Sequence, residues 1–325
     1  MKSTFCSGKN SKPLYFVRNG VRRAVPQSWL RKQLAAVLSS LDGRPDKDYI
    51  LSRVDYYNKL IGKIALPAGA PSLGDFKLKG NKSSYFFDSY EYTRWFDPSL
   101  HWEYLFGDVI HVPEVPTIVK SRPIAGDNAN SVLLNLDKHR HFTFLDDRIP
   151  FREKQDKSIF RGHIIGKPHR IRFMEMYYGH PACDAGIISP DPAFPAEWVK
   201  PKISFRDHLE YKFILAIEGN DVASNLKWIM SSNSLAVMPK PKYETWFMEG
   251  SLFPGYHYVE IRSDYADLEE KMSHYSSHPD EAEAIIANAH AYIDQFRNKK
   301  RERLISLLVL DKYFNRTGQS ALYFQ

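Results

Sequence analysis

Hydrophobic residues follow a helical spacing in the first part of the chain. Leu30, Leu34 and Leu38 recur at the period of an α-helix, and the Asp42-Gly43-Arg44-Pro45 segment that follows is typical of a helix end. The aromatic-rich stretch 76–107 favours a buried core, and a platform for stacking sugars is the alternative. This part is predicted to form helices at 28–41 and 50–64 and short strands at 115–120, 133–136 and 142–145.

In the second part of the chain, short apolar runs alternate with helical patterns. Strands are predicted at 158–162, 184–188, 213–217, 234–238 and 257–261, and helices at 169–178, 204–212, 222–230, 265–275, 279–296 and 304–314. This alternation predicts an α/β fold with a mainly parallel sheet, whose ligand sites lie beyond the carboxyl ends of the strands.

The polar stretch 146–158 separates these two patterns and predicts a domain boundary near Lys154. The expected domains are therefore residues 1–154 and 155–315, the second of which includes the C-terminal helices. Residues 316–325 form a tail whose end resembles the remnant of a cleaved tag, and it carries no functional interpretation.

The charge of the chain favours an anionic partner. Forty-five Lys and Arg against 38 Asp and Glu give a net charge of +7, which suits a phosphorylated molecule, a nucleic acid or an acidic membrane surface. The densest basic run, residues 299–303, includes Glu302 within a helical pattern, so a solvated helix face is favoured over a nucleic-acid arm.

The start of the chain contains no apolar stretch, and no apolar run reaches the length of a membrane span. We therefore expect a cytoplasmic protein. The two cysteines, Cys6 and Cys183, lack a zinc-type cluster and are expected to be spectators.

The clearest candidate for a binding site is the predicted strand 213–217, which is followed by Gly219-Asn220 and a predicted helix. The N-terminus of a helix beyond such a turn attracts anions through its free N–H groups and its dipole, and a diphosphate suits it. An ordinary turn capped by Asp221 explains the same pattern equally well.

Two further segments hold candidate binding residues. Arg161 and Gly162 end a predicted strand, where the arginine suits a phosphate and the glycine would let a ligand approach the backbone; a structural pair with a carboxylate is the alternative. Glu244 lies among aromatic residues and suits sugar or ribose hydroxyls, although such a segment also suits a core.

Several common catalytic motifs are missing from the sequence. The phosphate-binding P-loop, the serine-hydrolase elbow and the zinc-protease motif all lack their minimal residues. The Asp46-Lys47-Asp48 triplet precedes a predicted helix, where acids complement the helix dipole, so no metal site is expected.

An ordered series of motifs adds a family resemblance. The chain resembles glycosyltransferase family 90, the CAP10-like and protein O-glucosyltransferase family, in its bacterial lipopolysaccharide A protein branch, over roughly residues 110–315. The motifs include Phe160-Arg161-Gly162, Glu218-Gly219-Asn220, Asn233-Ser234-Leu235, Glu244-Thr245-Trp246-Phe247 and Leu252-Phe253-Pro254-Gly255-Tyr256-His257-Tyr258-Val259.

The resemblance implies a GT-B architecture, in which two Rossmann-like domains face a cleft and the C-terminal one holds a UDP-sugar. It also implies an inverting, metal-independent transfer to a lipopolysaccharide core or capsule-type glycan, with peripheral contact at the inner membrane and no nucleic-acid partner. By this resemblance the donor site is lined by Arg161, Gly162, Gly219, Asn220, Ser224 and Glu244.

Two positions depart from the family pattern. Where relatives carry an arginine for the diphosphate after the Gly-Asn turn, this chain has Asn225, so Lys227, Lys212 or Arg170 is expected to supply the charge. The resemblance implies a catalytic carboxylate on the N-terminal side, but the usual Asp after Arg is absent. Asp127 is the first candidate for this base and Asp147 the second.

A function of another class also fits the positive charge. A non-catalytic protein could bind an anionic glycan or a nucleic acid through the same basic residues. Turnover distinguishes the two, because only an enzyme releases UDP from a UDP-sugar when an acceptor is present.

Overall fold

The computed structural model describes residues 12–78 and 83–324, and the prediction for Cys6 lies outside them. The chain divides into two compact units, each built from separate segments. The described residues of the five-stranded unit are 141–241 and 249–295, and those of the helical unit are 12–78, 83–140, 242–248 and 296–324. The observed units change near residue 140, and the helical unit includes the last long helix; the functional domains 1–154 and 155–315 stay a prediction.

The helical unit begins with four helices: α1 (Lys12–Ala24), α2 (Gln27–Ser39), α3 (Lys47–Tyr57) and α4 (Ser83–Thr93). A three-stranded parallel sheet in the order β1-β2-β4 follows, made of β1 (Glu103–Leu105), β2 (Thr117–Val119) and β4 (Ser131–Leu133). Between the last two of these strands, β3 (Ser121–Pro123) pairs antiparallel with a strand from later in the chain. A short helix, α5 (Lys138–His141), ends the segment.

The five-stranded unit holds a parallel sheet of β5 (Gln155–Gly162), β6 (Cys183–Ile187), β7 (Tyr211–Leu215), β8 (Leu235–Met238) and β10 (Val259–Glu260). Its helices are α6 (Pro168–Tyr177), α7 (Phe205–His208), α8 (Leu226–Ile229), α9 (Leu268–Ser277) and α10 (Pro279–Asp294). β9 (Tyr243–Thr245), the partner of β3, and α11 (Lys299–Arg316) belong to the helical unit. The predicted α/β fold with parallel strands is confirmed.

Both cores follow from the apolar pattern. In α10, Pro279 begins the helix, and Ala282, Ile285, Ala289 and Ile293 lie on one buried face at the helical spacing. Helix α11 is buried almost all round between residues 302 and 314 and packs against α2, α3 and α4, as a central helix does.

Some predicted elements differ from the structure. The predicted helix 204–212 ends at His208, because Tyr211 and Lys212 are already in β7, where Tyr211 pairs with Gln155 of β5. The predicted strand 142–145 is absent, since the Leu145 N–H donates to the Ser231 hydroxyl instead of a ladder partner.

The structure also bears on three expectations about side chains. In the basic run 299–303, Lys299, Lys300 and Arg303 are exposed as expected, whereas Glu302 is buried and binds Arg53 at 2.6 Å. The aromatic stretch contains α4 and β1, and most of its rings are buried, which favours the core interpretation. Cys183 is a free, buried thiol whose pKa burial raises to about 11, so little reactive thiolate forms at neutral pH.

Candidate functional site

A pocket of about 350 Å³ opens at the carboxyl edge of the five-stranded sheet. The strands run in the order β10-β8-β7-β5-β6, so the first strand of this unit, β5, lies between the second, β6, and the third, β7. The connections leave β5 and β7 toward opposite sides at this point, which creates a crevice where parallel α/β sheets bind their ligands. The pocket is lined by Phe160, Arg161, Gly162, His163, Arg170, Ile188, Lys202, Ile203, His208, Ile217, Ser224, Asn225 and Trp228.

Five of the residues predicted from the sequence meet in this pocket: Arg161, Gly162, Arg170, Ser224 and Asn225. They come from the end of β5, from α6 and from the loop between β7 and α8. The pocket volume is within the range that small-molecule sites usually show.

Arg170 forms no hydrogen bond or ion pair with a carboxylate among the described residues, although the nearby Glu218 carboxylate favours its charged form. Its guanidinium donates hydrogen bonds to three backbone carbonyls, those of His163, Ile217 and Glu218, at 2.6–2.9 Å. No carboxylate bonds to it among the residues that the structure describes. Burial lowers the pKa of Arg170 to about 10, so the group stays charged at neutral pH and an anion in the pocket would compensate it.

Arg161 is only partly available to a ligand. Its Nη2 binds the Asp184 carboxylate at 2.7 Å, and its Nη1 donates to the backbone carbonyls of Phe160 and Asp184. The structural-pair alternative is therefore present, while the buried Nε has no hydrogen-bond partner among the described residues. Burial opposes ionisation of Asp184, but hydrogen bonds from Arg161 and Lys200 outweigh it and lower the pKa of that carboxyl to about 2.

Lys202 and His163 are pocket residues for which no role was predicted from the sequence. Lys202 is exposed and has no hydrogen bond or ion pair in the part of the chain that the structure describes. The pKa of His163 is lowered first by desolvation and then by the charges of Lys202, Lys167 and Arg170. Since His163 follows the last residue of β5 directly, its place at a strand end was the signal available in the sequence.

Another wall of the pocket is aromatic and apolar. Trp228 packs edge-on against His208 and Phe205 with ring centroids 5.4 and 5.1 Å apart, and Ile188, Ile203 and Ile217 add apolar surface. Desolvation lowers the pKa of His208, which keeps that ring neutral at neutral pH. A ligand that fits this pocket therefore combines an anionic group with a flat or apolar one.

The Gly219-Asn220 turn contributes less than the sequence suggested. The predicted helix 222–230 is reduced to the four residues of α8, which is too short to provide a strong dipole, and neither Gly219 nor Asn220 has a positive φ. Asp221 does not cap the helix; Asn225 precedes it, and its side chain instead donates to the Leu215 carbonyl at 2.9 Å.

Gly162 serves packing. A Cβ at this position would lie 2.9 Å from the Phe160 ring and 3.2 Å from Arg170 Nη1, so the missing side chain makes room for these two groups. This packing role explains the glycine without a ligand, and the approach of a ligand to the backbone at Gly162 stays a prediction.

Two predicted cations lie away from the pocket lining. Lys212 is 3.6 Å from the Asp156 carboxylate and lies over the Phe151 ring. Lys227 is buried and forms an ion pair with Glu249. Of the three cations proposed to replace the missing arginine, the structure brings Arg170 to the pocket.

Glu244 belongs to the helical unit, where it forms a buried ion pair. It is the cross-strand neighbour of Arg122 in the β3-β9 ribbon, and its Oε1 accepts from Arg122 Nε at 2.8 Å. Its other oxygen accepts from the Tyr56 hydroxyl. These contacts give Glu244 a structural role, and its role toward a donor stays a prediction.

The two candidate bases differ sharply in exposure. Asp127 is exposed, and one of its oxygens accepts the Ala129 N–H at 3.0 Å. The side chain of Asp147 is only 1% exposed, and its oxygens accept from Lys154, Asn233 N and Ile149 N at 2.8–3.0 Å. This difference favours Asp127, since a base must reach the acceptor hydroxyl. Arg122, five residues before Asp127 in the chain, is bound to Glu244.

One group of possible metal ligands lies outside this pocket. The exposed side chains of His274, His278 and Glu281 have ligand atoms within 4.8 Å of one another, and His274 Nε2 is 2.9 Å from Glu281. None of the three lines the pocket.

Comparison with known proteins defines the class of this one. Residues 138–313 match the model of Glycosyl transferase family 90. The chain is 43% identical over 312 residues to the O-glucosyltransferase LpsA of Dichelobacter nodosus, across 95% of this chain and 97% of that protein. It is 27% identical over 168 residues to Protein O-glucosyltransferase 3 of Homo sapiens, across 50% of this chain and 32% of that one. The match to Protein O-glucosyltransferase 2 of Danio rerio is 31% over 83 residues, 26% of this chain and 16% of that one.

These matches show that the protein is a glycosyltransferase. They therefore favour the enzyme over the alternative of a non-catalytic binding protein. Within that class, the chain belongs to glycosyl transferase family 90, which confirms the resemblance seen in the motifs. Within the described residues, 12–78 and 83–324, no helix is both long and apolar enough to cross a membrane.

Proposed function

We propose that this enzyme transfers a sugar from a UDP-sugar to a lipopolysaccharide core or capsule-type glycan, with inversion at the anomeric carbon. The observation that carries the donor assignment is the pocket of the five-stranded unit, in which Arg170 and Lys202 bind no carboxylate of the described residues directly and lie beside an aromatic wall. A nucleoside diphosphate has the matching chemistry, since its phosphates satisfy cations and its base packs on apolar surface.

In this proposal the pocket also stabilises the leaving group. As the bond between the anomeric carbon and the diphosphate breaks, negative charge grows on the phosphate oxygens, and Arg170, Lys202 and the free Nε of Arg161 lie where they can stabilise it. The hydroxyl of Ser224, which has no partner in the described part of the chain, can donate to the same oxygens. These groups would take the part that a divalent ion plays elsewhere.

The acceptor side of the reaction is assigned to the helical unit by the family resemblance, which implies a GT-B arrangement. Asp127 is proposed as the base that takes the proton of the acceptor hydroxyl while that oxygen attacks the anomeric carbon. A lipid-linked acceptor further implies that the enzyme acts in the cytoplasm at the surface of a membrane.

Calorimetry with UDP tests the donor assignment. Lys202→Ala removes an exposed cation that makes no hydrogen bond or ion pair within the described chain, so folding should be unaffected while UDP binds roughly tenfold more weakly. Lys157→Ala is the matched control, because Lys157 is an exposed lysine of the same five-stranded unit and lies near the start of β5, at the end of the strand away from the pocket. Equal UDP affinity in both variants would remove Lys202 from the site.

A turnover assay tests the chemistry. UDP release from a panel of UDP-sugars should require an acceptor and should persist in EDTA, and the product should carry the inverted anomeric configuration by NMR. Loss of activity in EDTA with rescue by manganese would contradict the metal-independent mechanism.

A further inference from the structure

Helix α1 turns most of its polar side chains toward the protein, together with Phe16, whose ring packs edge-on against Phe87 of α4. The Tyr15 hydroxyl donates to Asp88 at 2.8 Å, Asn19 is buried, and Arg22 binds Glu91 at 2.8 Å, both acids being on α4. The outward face instead carries Leu14, Val17 and Val21, which are 65, 62 and 67% exposed. We call these three residues the α1 stripe.

The spacing of the α1 stripe makes it continuous. Positions 14, 17 and 21 are three and four residues apart and therefore lie on one side of a helix. Isolated exposed apolar residues are common on protein surfaces, but a row of three on a helix that turns most of its polar side chains inward indicates an interaction surface. Trp29, at the start of α2, is the next large apolar side chain that is exposed, at 56%.

The positive charge of the chain is concentrated in the part of the sequence that contains α1. Residues 1–41 contain eight Lys and Arg and no Asp or Glu. Taking these eight from the 45 Lys and Arg of the chain leaves 37 against 38 Asp and Glu, so the entire surplus lies in the first 41 residues. On α1 itself, Arg18 is exposed next to the α1 stripe, Arg23 is exposed at the C-terminal end of the helix on another side, and no acidic residue occurs in the helix.

We propose that the α1 stripe, together with Arg18 beside it and Arg23 at the end of the same helix, docks this enzyme onto a bilayer that contains anionic lipids. Apolar side chains in a row, flanked by basic ones, are the features with which a helix lies in the plane of a membrane interface. The arginines match the lipid phosphates, and the apolar row enters the acyl boundary, which a nucleic acid would not require. The inference deepens the proposed function, on which it rests for the location of the acceptor.

Co-sedimentation with vesicles tests the docking surface. The full chain should bind vesicles of phosphatidylethanolamine and phosphatidylglycerol at low salt, and high salt should weaken the binding. The double variant Val17→Asp/Val21→Asp should reduce the partition coefficient at least tenfold, and Arg18→Glu/Arg23→Glu should reduce it about fivefold for each arginine replaced. The melting temperature should not change, since all four side chains are exposed.

Ile61→Asp is the matched control, because Ile61 is 88% exposed in the same unit and lies outside α1 and α2. Its binding should equal that of the unaltered chain. Equal vesicle binding by the Val17→Asp/Val21→Asp variant, or binding indifferent to anionic lipid, would overturn the inference. So would light scattering that shows a dimer for the unaltered chain and a monomer for this variant, because the stripe would then cover a second copy.

Calorimetry with UDP on the same samples separates the two proposals. Vesicle binding without UDP binding would uphold the docking surface and contradict the donor assignment. UDP binding without vesicle binding would have the opposite meaning.

Discussion

The pocket of the five-stranded unit and the β3-β9 ribbon of the helical unit each contain an arginine removed from full solvent exposure, but the two arginines have different partners. Arg122 is fully buried and binds the Glu244 carboxylate as well as backbone carbonyls. Arg170 binds backbone carbonyls alone. The first is paired directly with a carboxylate, whereas the second has no carboxylate in direct contact among the described residues and feels only the nearby charge of Glu218.

This difference separates charges that stabilise the fold from charges that await a ligand. Removing an ion from water costs several kcal/mol, which a well-placed counterion offsets. Other buried pairs in the molecule, Lys154 with Asp147 and Lys227 with Glu249, follow the pattern of Arg122. The pocket is the place where the counterion would come from a bound molecule.

The largest effect should come from breaking the balanced pair in the ribbon. Glu244→Gln leaves the Arg122 charge buried without its carboxylate, so we expect the free energy of unfolding to fall by about 3–5 kcal/mol. Urea denaturation measures this. Glu283→Gln is the control, since Glu283 pairs with Arg152 on the surface and its loss should cost about 0–1 kcal/mol. Equal effects would show that the Arg122 pair does not stabilise the fold.

The next effect concerns the two candidate bases, one of which is exposed while the other is held in a buried ion pair. Asp127→Asn should keep the melting temperature and UDP affinity while turnover falls roughly 100-fold or more, because an exposed base is lost. Asp147→Asn should instead lower stability, since Lys154 loses its buried partner. Steady-state kinetics and thermal unfolding distinguish them. Normal turnover in Asp127→Asn with a folded, inactive Asp147→Asn would move the assignment to Asp147.

A smaller effect is expected at Arg161, which the structure places between the two classes. Asp184 balances much of its charge, and its Nε remains without a partner among the described residues. Arg161→Ala should weaken UDP binding several-fold by calorimetry. It should also raise the pKa of Asp184, which Arg161 helps to lower, so stability should be lost at a higher pH during acid unfolding. Unaltered UDP affinity would make Arg161 purely structural.

The smallest effect concerns proton uptake at His163. Desolvation and the neighbouring cations lower its pKa in the free protein, so the ring is neutral at pH 7. A bound diphosphate would raise that pKa, and binding should then take up a proton and strengthen as the pH falls. Calorimetry in buffers of different ionisation enthalpy detects this uptake. His163→Gln should remove the part that exceeds the ionisation of UDP itself, and an identical uptake in the variant would exclude His163.

Regular strands were the part of the fold most open to prediction. The five strands of the parallel sheet are all near their predicted positions, because each is an apolar run between polar turns. The helices α1 and α4 were not predicted, since α1 carries most of its apolar side chains outward and α4 has buried polar groups such as Asp88. In both helices, the sequence pattern does not show which face is buried.

The candidate site was predictable only where it follows the strand ends. Arg161, Gly162, Ser224 and Asn225 met in the pocket because β5 and β7 are adjacent in the sheet. Lys202 comes from a long connection after β6, and no local pattern indicates where such a loop returns. Whether a charge is balanced depends on tertiary contacts as well, so the ion pairs of Lys227 and Glu244 could not be predicted from the sequence.

A crystal structure of the enzyme with UDP would show directly whether the pocket holds the donor. The cations that bind no carboxylate directly predict that the diphosphate lies in the pocket of the five-stranded unit, within hydrogen-bond distance of Arg170 and Lys202, with Ser224 on the same side. UDP bound at another surface, with Arg170 still bound only to carbonyls, would contradict the account.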